Sequence, residues 1–283
     1  MQKDQLLTRR RALFAGAVAL GAAGAAGAAG TAGLLLSGSS DTPVPPAPAA
    51  GPEARVALNS SAYRLRPLAG DVPPRAAPLP AKVRTTPILR FSGRGDTMML
   101  SFDDGPHPDF TPHVLDTLAK YDVRATFMVC GEMADWNRDL LARMADEGHV
   151  VGNHTWSHPL LTRLGRRGIR AEIERTSDLI EKAYGERPLW FRAPYGAWNR
   201  DVFRINADLG MEPLAWSVDS LDWTAPGTGV IVRRIEHGAA PGVVVLSHDA
   251  GGDRSQTVRA LRDYLPKLLE EGHHFTVPRR EYT

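Results

Sequence analysis

Two carboxylates stand side by side at Asp103 and Asp104, in the run SFDDGP, and two histidines stand four apart at His154 and His158, in GNHTWSH. Either set alone says little, because an Asp-Asp-Gly turn is common on surfaces and an i, i+4 histidine pair also describes a solvated helix face. Together they form a ligand set. One carboxylate and two neutral imidazoles hold a zinc-type divalent ion and leave a coordination position for water, the arrangement of a catalytic rather than a structural centre. This assigns Asp104, His154 and His158 to a metal and leaves Asp103 beside the metal's water as general base. Adjacent carboxylates at a buried strand end need a cation or a guanidinium to stay ionised together, and Arg192, in FRAPYG, supplies the guanidinium. His248, in LSHD, fits a separate general acid, with Asp222 of WSVDSLDW to orient it and raise its pKa; a third metal ligand is the other use open to it. Trp198, Trp216 and Trp223 fall in or beside these runs, where indoles stack on sugar faces or simply pack.

These residues matter only if one fold gathers them. From about residue 91 onward, apolar runs of strand length alternate with amphipathic helical segments. The strand candidates are TMMLSF, VRATFMV, HVVGN, PLWFR, PLAWSV, GVVVLSH and HFTV. Helices are expected to open at Thr111 with Pro112 in the first turn, and to cover residues 138–147, 169–183, 200–209, 230–236 and 255–271. In the third of these, Ile169, Ile173, Thr176, Ile180 and Ala183 share one core-facing stripe. Such alternation predicts an α/β domain with a parallel sheet, open or closed into a barrel, and large enough to bury a core without disulfides. Each polar cluster follows directly on a strand candidate. Strand C-termini share one face in a parallel α/β fold, so the five clusters should converge there.

Composition bounds the function classes. The 283 residues are 43% hydrophobic and 23% charged, with a net charge of +2, which is ordinary globular composition. No Lys/Arg block interleaved with aromatics occurs beyond the N-terminus, which argues against nucleic acid as a partner. The single cysteine, Cys130, lies in the apolar run ATFMVC and reads as a small core residue. In residues 1–36, Arg9, Arg10 and Arg11 precede an Ala/Gly-rich apolar stretch, the layout of a twin-arginine-type export signal, or of a membrane anchor if it is not cleaved. Either places the rest of the chain outside the cytoplasmic membrane, extracellular or wall-associated. Residues 37–90 hold half of the 22 prolines and read as a mostly disordered Pro/Ala-rich linker with a short ordered part at 61–68, ahead of a catalytic domain at 91–283.

In this order, SFDDGP, HTWSH, RAPYG, DSLDW and LSH resemble the five motifs of the polysaccharide deacetylases, carbohydrate esterase family 4, over about residues 92–280. The resemblance implies a distorted (β/α) barrel of about seven parallel strands. It also implies hydrolysis of N- or O-acetyl groups on a glycan with a divalent metal, usually Zn2+, with Co2+ or Ni2+ as alternatives. By resemblance Asp103 is the base, Asp104, His154 and His158 are the ligands, and Arg192 holds Asp103. The Tyr195 backbone N–H serves the oxyanion, Asp222 tunes His248, and Trp223 and Leu246 line the pocket for the acetyl methyl. Ser101 stands where threonine is usual and Ala193 where proline is frequent, both at backbone-shaping positions. The expected substrates are N-acetylglucosamine polymers, peptidoglycan or chitin oligomers, ahead of acetyl-xylan. The enzyme is expected to be a monomer that meets a membrane only through its N-terminal segment. A metal-free glycosidase is disfavoured by the ligand triad, and a non-catalytic wall-glycan binder by the presence of Asp103, Asp104, His154, His158 and His248 together.

Overall fold

The computed structural model describes residues 81–91 and 95–280. The export signal or anchor, the ordered part expected at 61–68 and most of the linker lie outside the described residues. Among the described residues no helix is long and apolar enough to cross a membrane.

The strands are β1 (Thr97–Asp103), β2 (Thr126–Val129), β3 (Val150–Asn153), β4 (Trp190–Phe191), β5 (Glu212–Pro213), β6 (Val218–Asp219), β7 (Val244–His248) and β8 (His274–Phe275). They pair in the order β5-β4-β3-β2-β1-β7-β6, all in parallel, with β8 against the first residues of β1. The helices are α1 (Thr111–Lys120), α2 (Gly131–Trp136), α3 (Arg138–Asp146), α4 (Arg166–Tyr184), α5 (Arg200–Asp208), α6 (Thr228–Gly238) and α7 (Ser255–Glu270). All but the short α2 match an expected helix. The curled sheet with its helices is the distorted barrel that the motifs imply.

PLAWSV, expected as one strand, is instead split between β5 and β6. The physical reason lies in the break itself, where the carbonyls of Leu214 and Ala215 accept hydrogen bonds from Arg192 at 3.1 and 2.9 Å instead of extending the ladder. Residues just before β1 partly close the opening between β5 and β6. Ile88 bridges to Leu214 and Arg90 to Val243, and Arg84 pairs with Glu212 at 2.6 Å. The folded unit therefore takes in residues 81–90, at the end of the stretch read as linker.

Strand alternation then sets what reaches the site. On β1, Met98, Leu100 and Phe102 pack outward into the core under the helices, together with Phe127, Val151 and Val245. The alternate residues turn inward: Met99 packs with Met128, Trp190, Leu214 and Val244 inside the barrel. Two residues further along the same inward face comes Ser101, and two more bring Asp103. On β7 the inward face runs Val244, Leu246, His248. At β4, Trp190 points in, Phe191 joins the apolar cluster under α4 and α5, and Arg192 returns inward. Each inward column changes from apolar to ionisable as it climbs to the mouth, so the chemistry sits on a dry floor.

Candidate metal centre and catalytic site

The metal-ligand candidates meet at the C-terminal mouth. Asp104 Oδ1 lies 3.2 Å from His158 Nε2 and 3.5 Å from His154 Nε2, and one donor atom from each of the three residues lies within 4.8 Å of the others. Two donors each about 2.1 Å from a tetrahedral ion are roughly 3.4 Å apart, so the spacing suits a shared cation. His154 Nδ1 donates to the Arg192 carbonyl at 2.7 Å, which leaves the Nε2 lone pair free to ligate. Asp104 Oδ1 is buried and accepts no hydrogen bond among the described residues, the kind of acceptor a bound cation would satisfy. Burial would raise the Asp104 pKa, but His158, His154 and His248 outweigh it and hold the carboxyl well below the usual range.

HTWSH is not a helix face. Thr155 and His158 adopt left-handed backbone, with φ of 72° and 56°, and the turn is tied by side chains. Asn153 Oδ1 accepts from Thr155 N–H at 2.8 Å, and Thr155 Oγ1 from His158 N–H at 3.2 Å. From α4, Glu172 accepts from the N–H groups of Trp156 and Ser157 at 3.0 and 2.8 Å and from the Ser157 hydroxyl at 2.9 Å.

Asp103 sits next to this cluster, its Oδ2 3.6 Å from His154 Nε2. Its other oxygen accepts from Arg192 Nη1 at 2.6 Å, and Arg192 is wholly buried. The same guanidinium donates to Ser101 Oγ at 2.9 Å, while that hydroxyl donates to the Val245 carbonyl at 2.6 Å. Serine in place of threonine thus keeps the one atom the network uses. Ala193, fully buried against Phe191, Leu161 and Ile169, takes the other departure without loss of packing.

His248 occupies the end of β7. Its Nδ1 donates to Asp222 Oδ1 at 2.6 Å, and its backbone N–H and the Thr257 hydroxyl donate to Asp222 Oδ2 at 2.8 and 2.7 Å. Burial would lower the imidazole pKa, but Asp222, helped by Asp104 and Asp103, carries it up to about 9. Burial likewise opposes Asp222's ionisation, and His248 with Thr257 outweighs it, lowering the carboxyl. Asp219 Oδ1 accepts from Leu221 N–H at 2.8 Å and stabilises Leu221 at φ 53°, the turn that presents Asp222 and Trp223.

Tyr195, at φ 61°, lays its ring edge-on to His158 with centroids 4.6 Å apart. Leu246 is buried on the inward face of β7, and Trp223 is 45% exposed. Trp198 and Trp216 are not exposed indoles. Trp198 stacks on Phe203, and Trp216 packs against Gly196 with the Arg192 guanidinium 5.7 Å from its ring. Cys130 is buried, and burial, then Asp104 and Asp103, pushes its thiol well up.

Three positioning residues escaped the motif reading. Glu172 lies on a charged helix face and Arg254 in a turn, where neither type signals burial. Arg254 is nonetheless buried, and it donates to the carbonyls of Ala250 and Gly251 at 2.6 and 2.8 Å, holding the loop that passes over Asp104. Asp249 is fully buried against Gly105 and accepts from Thr111 Oγ1 at 2.5 Å; burial, reinforced by Asp104 and Asp103, raises it to about 7. Its place in LSHD, directly after a catalytic candidate, was the one available cue.

A family model described as polysaccharide deacetylase matches residues 92–214. A chitooligosaccharide deacetylase of Sinorhizobium fredii is 41% identical over 202 residues, 67% of this chain and 93% of that protein. The chain belongs to the polysaccharide deacetylase family. Among solved structures, a peptidoglycan N-acetylglucosamine deacetylase matches this deacetylase-family chain with a TM-score of 0.64 and 33% identity, over 66% of this chain and 88% of that one. A family 4 carbohydrate esterase pseudoenzyme from Bacillus anthracis matches at a TM-score of 0.63 and 30% identity, over 68% and 67% of the two chains. The polysaccharide deacetylase fold therefore does not guarantee catalysis, and activity has to be read from the side chains present.

Proposed function

We propose that this domain is a metal-dependent hydrolase that removes N-acetyl groups from N-acetylglucosamine polymers, peptidoglycan or chitin oligomers. The observation that carries the proposal is the placement of Asp104, His154 and His158 beside the Asp103–Arg192 pair, with the His248–Asp222 pair at the same mouth. A divalent ion, Zn2+ by the donor set, would be held by Asp104, His154 and His158 and would supply Lewis acidity for the acetyl carbonyl and for a water. The protein's own groups do the rest. Asp103, fixed in place by Arg192, takes the proton of the attacking water. The Tyr195 N–H meets charge developing on the carbonyl oxygen, a contact typically worth about 2.7 to 4 kcal/mol. His248, held as imidazolium by Asp222, protonates the leaving nitrogen. Trp223 and Leu246 enclose the acetyl methyl.

The raised His248 favours amide over ester substrates. An amine leaves only after protonation, whereas the alkoxide of acetyl-xylan departs with less help, so an imidazole that Asp222 holds in its charged form is suited to the N-acetyl bond. The export segment and linker expected in residues 1–90 would deliver the domain to wall or extracellular glycan. The test is acetate release from chitin oligomers, peptidoglycan and acetyl-xylan, with chelator and with zinc restored. N-acetyl substrates should be cleaved, chelator should abolish turnover and zinc should return it, and Asp103→Asn should be inactive while still binding zinc. Chelator-resistant turnover, or full activity in Asp103→Asn, would overturn the proposal.

A further inference from the structure

Residues 159–171 and 195–204 hold six arginines and a single acid, Asp201, in a chain whose whole net charge is +2. Both stretches leave the mouth of the barrel. The first follows His158 and opens α4, and the second starts at Tyr195 and opens α5. They meet where the Tyr195 hydroxyl donates to the His158 carbonyl at 3.4 Å and Arg166 pairs with Asp201 at 2.6 Å. Arg170 is used as well, pairing with Asp208 at 3.1 Å. The other four, Arg163, Arg167, Arg200 and Arg204, are exposed, and none has an ion-pair partner among the described residues.

Nothing in the fold uses these four charges. Arg167 stands in the first turn of α4, which has no acid, and Arg200 opens α5, so both place a cation at the positive end of a helix, where it costs stability. A bank of unpaired guanidiniums beside a glycan site calls for anions on the glycan. The planar fork of arginine suits carboxylates, which it holds through two parallel hydrogen bonds. Chitin oligomers are neutral, whereas peptidoglycan carries carboxylates on the peptides attached to alternate sugars. Because the two stretches start beside the ligand His158 and at Tyr195, a sugar seated at the metal brings its neighbour's peptide within reach of this rim.

We infer that Arg163, Arg167, Arg200 and Arg204 form a carboxylate-binding rim that makes peptidoglycan, rather than neutral chitin oligomers, the preferred substrate. This rests on the proposed glycan deacetylase activity. In the test, kcat/KM for acetate release is measured on soluble peptidoglycan strands, on the same strands with their carboxylates amidated, and on the neutral N-acetylglucosamine hexamer. The proteins compared are the full-length wild type and the combined variant Arg163→Gln, Arg167→Gln, Arg200→Gln, Arg204→Gln. The variant should lose roughly tenfold on peptidoglycan, about twofold for each exposed charge, and nothing on the hexamer. Amidation should cost the wild type a similar factor, and rising salt should erase the difference between the two proteins. Co-sedimentation of chelator-treated protein with insoluble peptidoglycan reads the same contacts without turnover, and the variant should bind more weakly. An unchanged peptidoglycan-to-hexamer ratio in the variant would overturn the inference, as would wild-type turnover indifferent to amidation or a variant defect confined to binding a glycerol phosphate polymer. Failure of the wild type to release acetate from any substrate would count against the deacetylase reading instead, and co-sedimentation with native and amidated peptidoglycan would still decide the role of the rim.

Discussion

Replacing Asp222 with asparagine should disarm His248 while leaving the loop in place. The amide oxygen can still accept from His248 N–H and Thr257 Oγ1, now at 2.8 and 2.7 Å, but an NH2 then faces Nδ1 and the carboxylate charge is gone. In the native protein the imidazole rises from 6.5 to about 9, which corresponds to roughly 3 kcal/mol in favour of the charged ring. Without Asp222, burial is opposed only by Asp104 and Asp103 and the value falls. At pH 7.5 nearly all of the native His248 is imidazolium, against a smaller share in the variant, so kcat on an N-acetyl substrate should fall, by roughly 10-fold. A bound divalent ion lowers both values together and leaves the direction unchanged. The direct assay is an NMR titration of the His248 ring in metal-free protein, accompanied by pH–rate profiles of the zinc enzyme, whose basic limb should move to lower pH. Linkage adds a second readout. Because the folded value lies above the unfolded 6.5, the pair's stabilisation is complete below about pH 6.5 and is lost as pH rises through about 9. The stability gap between native and variant protein should therefore narrow across that window. A variant ring that still titrates near 9, or a gap that widens with pH, would refute the assignment.

Two further substitutions probe the supports of the site. Arg192→Lys keeps a charge but offers one point where the guanidinium serves Asp103, Ser101 and two carbonyls. Two buried carbonyls then lose their donors, a loss of roughly 3 kcal/mol or a fall of about 6–12 °C in Tm by calorimetry, and a change under about 2 °C would contradict the network. Gly251→Ala puts a Cβ 2.4 Å from Asp104 Oδ2, at a residue with φ of 74°. It should weaken zinc binding about 10-fold or more by chelator competition, and an unchanged Kd would show that this carboxylate is not constrained by the loop.

The sheet was legible in the sequence because its strands are buried on both faces. TMMLSFD and VVLSH are continuous apolar runs with nothing else to become, and the polar residue that ends each run is the one that reaches the mouth. What stayed hidden was contact between distant segments. Nothing local to PLAWSV says that its carbonyls will turn to a guanidinium from another strand, and nothing in Ile88, amid a Pro-rich stretch, says that it will bridge to Leu214. Glu172 has the sequence profile of a solvated helix charge, and only the fold places the HTWSH backbone across its carboxylate.

The least legible feature is also the one the site depends on most. Asp104, Thr155, His158, Tyr195 and Leu221 all adopt positive φ without being glycine, and each such residue costs about 1 kcal/mol or more. A left-handed residue redirects the chain within one step, which lets a strand end release Asp103 to one side and Asp104 to the other. The same device lets two histidines four apart aim at one point without a helix. Glycine would relieve the strain but remove the ligand, so the side chain and the turn have to coincide. The surroundings meet that demand with acceptors already in place: Asn153 for Thr155, Thr155 for His158, Asp219 for Leu221. At Asp104 the acceptor logic runs out, because Oδ1 is buried with no donor. Asp104 is the strained residue whose buried oxygen faces two imidazoles, which is where a cation would complete the fold as well as the chemistry.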